Sequence, residues 1–279
     1  MKKITVIFLL FLVSNFALAQ KSEKIKGSKI ILIEQKEIGS FNSLEVGDNF
    51  EVHFEKGEKS GVKVEADENL HPVITLELNN NHLRIFTSKT ITSYKKLILR
   101  ITYTDDFKLI TIKDEVNFNA IKEIELDDIT LKSFDNSKLY LNANSKKFTL
   151  LADNNSKIEL NLKSENTTIQ LSKNAALKAL VTSTDFKCDL YQKSKATLEG
   201  DITNNGIIRL DNNTILTANN LAIKNAQLIA ESYSDCSVNV STNLILDASG
   251  NSKIRLYGDQ KIEMKRFLDN ATLNKKPTK

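Results

Sequence analysis

Apolar and polar residues alternate with a period of two along most of the chain. From Lys29 onward apolar side chains recur at every second position, as at Phe50, Val52 and Phe54. This alternation is typical of β-strands that bury one face. No stretch sustains the 3.6-residue period of an amphipathic helix, so the pattern predicts an all-β protein.

A short motif repeats eight times in the second half of the chain. It reads Asn, a small residue, any residue, and then two apolar or small positions separated by one residue, as at residues 136–141 and 155–160. The first apolar positions are spaced by about 19 residues and are Leu139, Ile158, Leu177, Leu198, Leu216, Val238, Ile254 and Leu273. A second apolar pair lies between copies: Phe148/Leu150, Ile169/Leu171, Cys188/Leu190, Ile208/Leu210, Leu228/Ala230, Leu244/Leu246 and Ile262/Met264.

Two short strands in about 19 residues cannot bury a face alone, whereas stacked units bury a continuous core. The repeats therefore predict a β-solenoid in which the first apolar positions stack inside. The small residues of the motif then occupy a tight corner, and Asn occupies a bend because it tolerates a left-handed backbone. Stacked Asn amides are expected to hydrogen-bond between coils. The alternative is an antiparallel meander or sandwich with accidental repetition.

The expected organisation has five segments. Residues 1–19 form a signal peptide, 20–28 an N-terminal tail, 29–135 a less regular β region, 136–274 the coils, and 275–279 a basic tail. The region 29–135 forms either degenerate coils, of which Val116 and Phe118 resemble one, or a cap that covers the first edge of the solenoid.

The first 19 residues match a secretory signal peptide. Lys2 and Lys3 precede an apolar run at residues 4–13, and residues 17–19 supply a small-x-small cleavage site before Gln20. The run is too short to cross a bilayer, which takes about 20 residues. We therefore expect an exported protein, in the periplasm, at the cell surface or in the medium, without a transmembrane segment.

The charges are balanced and interspersed. Charged residues make up 27% of the chain and the formal net charge is +4. A nucleic-acid-binding protein needs a clustered basic face, and only a short basic tail at Lys275, Lys276 and Lys279 stands out. We expect no nucleic-acid partner and no strongly charge-driven one.

Residues with catalytic or metal-binding chemistry are sparse. His53, His71 and His82 lack the spacing of a metal site. The pairs Asp105-Asp106 and Asp127-Asp128 lack the glycine-spaced Asp ladder of calcium-binding coils, so we interpret them as acids in turns. We predict no catalytic residue, no metal and no cofactor.

Cys188 and Cys236 are expected to be unpaired. The predicted register places Cys188 in a second strand and Cys236 at a corner, about 12 Å apart at 4.8 Å per coil. A disulfide needs Cα atoms within about 7 Å.

The predicted outward positions alternate in charge sign. On the first strands they are Tyr140, Glu159, Lys178, Glu199, Thr217, Asn239, Arg255 and Asn274. On the second strands they are Thr149, Gln170, Asp189, Arg209, Ile229 and Glu263. Glu159 and Glu199 would lie two coils, about 10 Å, apart, and no carboxylate cluster stands out. The faces suit broad binding, in which single changes at Glu159, Lys178, Glu199 and Arg255 each have a modest effect.

Three segments resemble one known family. They are IGSFNSLEVGDNFEV at residues 38–52, GVKVEADENL at 61–70 and LDASGNSKIRLYG at 246–258. They are similar to the auto-transporter adhesin head, or GIN-domain, family, over about residues 36–273, although Asn-Ser or Asn-Ala replaces most of the family's Gly-Ser corners. The resemblance implies a right-handed single-stranded β-helix in an exported bacterial protein, with no catalytic residues to transfer.

Two functions follow from these expectations. The first is an exported non-enzymatic binding or adhesin-like protein of the bacterial cell envelope, with an unidentified glycan or protein ligand. The alternative is a carbohydrate-active enzyme, a polysaccharide lyase or hydrolase on a β-helix.

Overall fold

The computed structural model describes residues 23–277, so the predicted signal peptide at residues 1–19 lies outside the described part. Strands account for 69% of the structure and helix for 2%, and they form a β-solenoid of about nine turns spaced by about 19 residues. The predicted all-β solenoid is confirmed.

Short strands build the N-terminal part and long strands build the repeats. The first group is β1 Lys24–Lys26, β2 Ile31–Lys36, β3 Ser43–Val46, β4 Glu51–Lys56, β5 Gly61–Asp67, a 3₁₀ turn Glu68–Val73, β6 Ile74–Asn79, β7 His82–Thr87, β8 Thr90–Ser93, β9 Leu97–Tyr103, β10 Leu109–Ile112, β11 Asn117–Glu125 and β12 Asp128–Ser133. The second group is β13 Lys138–Ala152, β14 Lys157–Leu171, β15 Ala176–Tyr191, β16 Lys195–Asp211, β17 Ile215–Ala230, β18 Asp235–Ala248, β19 Lys253–Tyr257, β20 Lys261–Phe267 and β21 Thr272–Lys275.

Each long strand forms most of one coil and bends in its middle. In β13, alternate side chains are buried until Lys146 and Lys147, which are both exposed, and the alternation then resumes. The two consecutive outward side chains mark the bend. We call the segment before the bend, residues 138–145 and its equivalents, the first face, and the segment after it, residues 148–152 and its equivalents, the second face. Every long strand pairs in parallel with the next.

The inner column of the first face corrects the predicted register at two coils. Ala196 pairs with both Leu177 and Leu216, and Cys236 pairs with both Leu216 and Ile254. The predicted members Leu198 and Val238 lie one inward position further along their strands and are also buried. A shift by two residues keeps a side chain on the same side of the strand, so alternation alone cannot detect it.

The corner column shifts in the same way. Its buried small residues are Ser137, Ser156, Ala175, Ser194, Thr214, Ser234 and Ser252, so Ser194 and Ser234 replace the predicted Ala196 and Cys236. The left-handed residues mostly fall one position before the predicted Asn. They are Asp135, Asn154, Lys173, Gln192, Asn212, Ser232, Gly250 and Asp269, and the next residue is also left-handed at Asn174, Lys193 and Asn213.

Of the Asn side chains predicted to stack at the corner, one pair forms a hydrogen bond between successive coils, and a neighbouring Asn–Asp pair forms another. Asn154 Nδ2 donates to Asp135 Oδ1 at 2.8 Å, and Asn270 Nδ2 donates to Asn251 Oδ1 at 3.1 Å. A further Asn–Asn contact between coils, which the sequence pattern did not predict, lies at the mid-strand bend, where Asn243 Nδ2 donates to Asn225 Oδ1 at 2.9 Å. Amide side chains therefore contribute hydrogen bonds between coils at both bends.

The second face has its own inner column, formed by Leu131, Leu150, Ile169, Cys188, Ile208, Leu228, Leu246 and Met264. Cys188 and Cys236 are both buried and free. Burial raises the pKa of both thiols, that of Cys236 to about 12.

The N-terminal region contributes both coils and an antiparallel end. On the first face, Phe118 stacks between Val52 and Leu139; on the second face, Ile110 stacks between Leu44 and Leu131. Beyond these strands, β5 runs antiparallel to β2 and β9, and β6 runs antiparallel to β7.

A buried carboxylate ties this end together. Asp67 is fully buried and accepts backbone N–H groups from Lys29 at 2.9 Å, Lys95 at 3.0 Å and Lys96 at 3.1 Å. Burial alone would raise the pKa of Asp67, but these hydrogen bonds prevail and hold it below its usual value. The ionised carboxylate therefore joins the segment before β2 to the loop before β9.

One glycine is required by close approach of two coils. Gly200 has a φ of +116°, and a Cβ atom there would lie 2.1 Å from the carbonyl oxygen of Val181 in the preceding coil. The backbone of β16 can approach β15 at this point only because the side chain is absent.

Candidate binding surface

The outward column of the first face contains most of the residues predicted for it. It runs Asn119, Tyr140, Glu159, Lys178, Thr197, Thr217, Ser237, Arg255 and Asn274. Glu199 and Asn239, predicted here, are replaced by Thr197 and Ser237, because the register differs at those two coils. Glu199 instead pairs with Leu180 and Asn220 in the next outward column. Glu159 and Glu199 therefore do not share a column.

A shallow groove of about 550 Å³ runs between these two outward columns. Tyr140, Glu159 and Lys178 line it from one column, and Leu180 and Glu199 line it from the other. Leu180 is 49% exposed although it is apolar. The groove combines an aromatic ring, an exposed aliphatic side chain and charges of both signs.

Lysines stack beside this groove. Lys138 pairs directly with Lys157, and Lys195 follows two coils further along the same outward column, with Ala176 between them. We call Lys138, Lys157 and Lys195 the lysine column; all three are exposed. Within residues 23–277 none of them, nor the neighbouring Lys178, forms an ion pair. Like charges on adjacent strands repel each other, so an acidic ligand would relieve this repulsion.

The charges of the second face, in contrast, are neutralised within the chain. Arg266 Nη2 lies 2.9 Å from Glu231 Oε1 and its Nε lies 2.6 Å from Asp247 Oδ1, while Arg209 Nη2 lies 3.2 Å from Glu231 Oε2. Gln170, Asp189, Arg209 and Ile229 share one outward column, as predicted.

Thr149 and Glu263, predicted for that same column, lie in the neighbouring one. Leu151 pairs with Gln170 in the position that was predicted for Thr149, and Arg266 pairs with Asp247 in the position that was predicted for Glu263. The second-face register therefore also differs from the prediction by one outward position at each end.

Two of the four acids considered as calcium ligands face lysines. Asp105 Oδ1 lies 2.5 Å from Lys56 Nζ, and Asp127 Oδ2 lies 2.9 Å from Lys146 Nζ. The hydrogen bond to Asp105 raises the pKa of Lys56. In the described part of the chain, no three His, Cys, Asp or Glu side chains are grouped as a metal site would need.

The three histidines lie apart and have local partners. His53 Nε2 lies 2.8 Å from Glu51 Oε1, and His82 Nδ1 lies 3.0 Å from Ser43 Oγ. His71 is buried, with Nε2 at 3.1 Å from the carbonyl oxygen of Leu32. Between residues 23 and 277 there is also no helix with the length and hydrophobicity of a membrane span.

A solenoid whose outer faces present stacked side chains places the chain in the class of β-repeat proteins, and the sequence assigns it to one family. The model of the family described as putative auto-transporter adhesin, head GIN domain, matches residues 40–179 and 160–259. The chain belongs to this family, which confirms the resemblance found in its sequence.

Solved structures share the fold over most of the chain. A putative adhesin from Parabacteroides merdae is 16% identical, with a TM-score of 0.66 over 91% of this chain and 99% of that one. A putative adhesin from Parabacteroides distasonis is 16% identical, with a TM-score of 0.65 over 91% and 100%. A putative lipid binding protein from the same species is 13% identical, with a TM-score of 0.59 over 91% and 99%. No curated protein matches the chain.

Proposed function

We propose that this protein is an exported, non-enzymatic, adhesin-like binding protein of the bacterial cell envelope that contacts its ligand through the first face. Membership of an adhesin family supports an exported or cell-surface location and a binding role. The ligand is a glycan or protein that carries repeated acidic groups, which departs from the sequence-based expectation of no strongly charge-driven partner, because the lysine column is formed only by the pairing of coils.

The lysine column beside the groove is the observation that carries this proposal. Lys138 and Lys157 lie on adjacent coils, about 4.8 Å apart, and Lys195 and Lys178 extend the cationic surface. An extended ligand can contact several of these ammonium groups while its less polar parts meet Tyr140 and Leu180. Many weak contacts of this kind add up along a repetitive ligand.

The open shape of the groove favours binding over catalysis. Catalytic groups converge on a concave, partly desolvated site in which their pKa values shift. Here Glu159 and Glu199 occupy different columns, which does not support the pair of facing carboxylates that a glycoside hydrolase needs.

A binding experiment with two matched triple variants tests the proposal. Purified protein is applied to arrays of acidic glycans, neutral glycans and envelope proteins at low and physiological salt. The variant K138A/K157A/K195A removes the lysine column, and K108A/K147A/K224A removes the same charge from exposed lysines outside the first face. At about 0.2–1 kcal/mol for each exposed ion pair, we expect about a tenfold loss of affinity for the first variant and less than about twofold for the second.

Single substitutions and turnover assays complete the test. Changing Glu159, Lys178, Glu199 or Arg255 to Ala one at a time should alter affinity less than about fourfold, because no single contact dominates. Equal losses in the two triple variants would contradict a first-face site. Hydrolase or lyase activity that disappears with one carboxylate would instead support the enzyme.

A further inference from the structure

The C-terminal end of the solenoid exposes the cross-section of its core. The last strands pair along one edge only, β20 with β18 and β21 with β19, within the part of the chain that is described. Ile262 and Met264 stack on the buried Leu244 and Leu246 at inward positions, yet they are 43% and 50% exposed. Leu268 is 54% exposed beside them. This end therefore combines apolar side chains with a row of unpaired backbone groups.

We propose that two copies of the chain associate through this end about a two-fold axis, with β20 antiparallel to β20 of the second copy. The charges of β20 are self-complementary in this arrangement. With the axis at Met264, Glu263 lies opposite Lys265 of the second copy, and Lys265, the residue at which β20 bulges against β18, lies opposite its Glu263. Within one chain these two side chains point to the same side, since their charged atoms lie 2.5 Å apart, and both are exposed.

The two faces of the solenoid can pair at the same time. The chain turns back at Asp269, a residue with a left-handed backbone. Met264 lies five residues before this corner, and Leu273 lies four residues after it. An axis through Met264 therefore also passes close to Leu273 in β21. The dimer forms one continuous solenoid in which the exposed apolar side chains of each end cover those of the other.

The lysines of this edge explain why the register is specific. Lysines on an exposed strand oppose indiscriminate pairing, and β20 contains Lys261 and Lys265. The antiparallel register centred on Met264 places an acid opposite Lys265, which is the kind of charge matching that selects one isologous contact.

The mass of the purified protein in solution tests the dimer. Sedimentation velocity over a range of micromolar concentrations should give twice the mass of the single chain, and the variant M264K should give one chain. The matched control I33K places the same charge on a 56% exposed residue at the opposite end of the solenoid and should remain dimeric. Circular dichroism checks that both variants are folded, which we expect because both positions are exposed in the single chain.

A charge exchange distinguishes self-association from any other contact. E263K and K265E should each weaken the dimer about tenfold or more, and the double variant E263K/K265E should restore it. A single-chain mass at all concentrations, a dimer unaffected by M264K, or long polymers that I33K abolishes would each overturn the proposal. The last result would favour head-to-tail stacking through the N-terminal end.

Discussion

Replacing Leu177 by Ala tests the inner column of the first face. Leu177 is 2% exposed and lies between Ile158 and Ala196 of the adjacent coils. Removing three carbon atoms loses about 2.4 kcal/mol of transfer free energy, at about 0.8 kcal/mol per methylene. The cavity that remains adds to this, so we expect a loss of about 3–4 kcal/mol in the free energy of unfolding, within the usual 2–5 for buried aliphatic side chains.

The matched control is the next residue along the strand. Lys178 is exposed and has no ion pair among the described residues, so Lys178→Ala should cost less than about 0.5 kcal/mol. A second pair repeats the comparison at Ile254, which is fully buried, and Arg255. Arg255 pairs with Asp235 and bonds Ser237 Oγ at 3.0 Å, so its replacement should cost somewhat more, about 1 kcal/mol.

Urea unfolding followed by circular dichroism and by protease resistance measures these differences. Two probes are needed because a solenoid can unfold in segments, and only coinciding transitions permit a two-state analysis. Equal shifts of the urea midpoint for Leu177→Ala and Lys178→Ala would refute the assignment of inward and outward positions.

Three further outcomes follow from individual residues. Gly200→Ala should cost about 2–4 kcal/mol in thermal or urea unfolding, because of its positive φ and the close carbonyl group; unchanged stability would contradict the coil contact. Asp67→Ala should cost about 3 kcal/mol at pH 7, since it leaves three backbone N–H groups without an acceptor. Because the pKa of Asp67 is lowered in the folded protein, the stability that it contributes is fully present above its unfolded pKa of about 3.9 and is lost as the pH falls through its native pKa. Below about pH 4 the variant should therefore lose less stability than the wild type. Cys188 and Cys236 should react with a thiol reagent only after denaturation, and mass spectrometry should detect no native bridge between them; a bridge would refute the register.

Sequence periodicity predicted the fold because burial imposes it. Alternation identified the inward side of each strand, and the 19-residue spacing identified the coil. The register failed at Leu198 and Val238 because each lies two residues from the true column position and faces the same way. Bulges between β15 and β16 and between β16 and β17 absorb the differences in coil length.

The lysine column was missed for a related reason. Lys138 and Lys157 are neighbours in space but lie a full coil apart in sequence, at the position of the motif that admits any residue. Only the pairing register brings them together, so net charge and local charge runs give no sign of them. The signal was present in the repeats, in the residue directly before each first apolar position.

The pairing of each coil only with the coils before and after it also determines how the protein responds to mechanical force. A load applied along the chain would act on the outermost coil first, since few contacts connect distant coils. Each coil of about 19 residues that detaches releases about 60 Å of extended chain. The molecule would therefore lengthen in steps and dissipate energy while the remaining coils stay folded, which would suit the adhesin-like role proposed above.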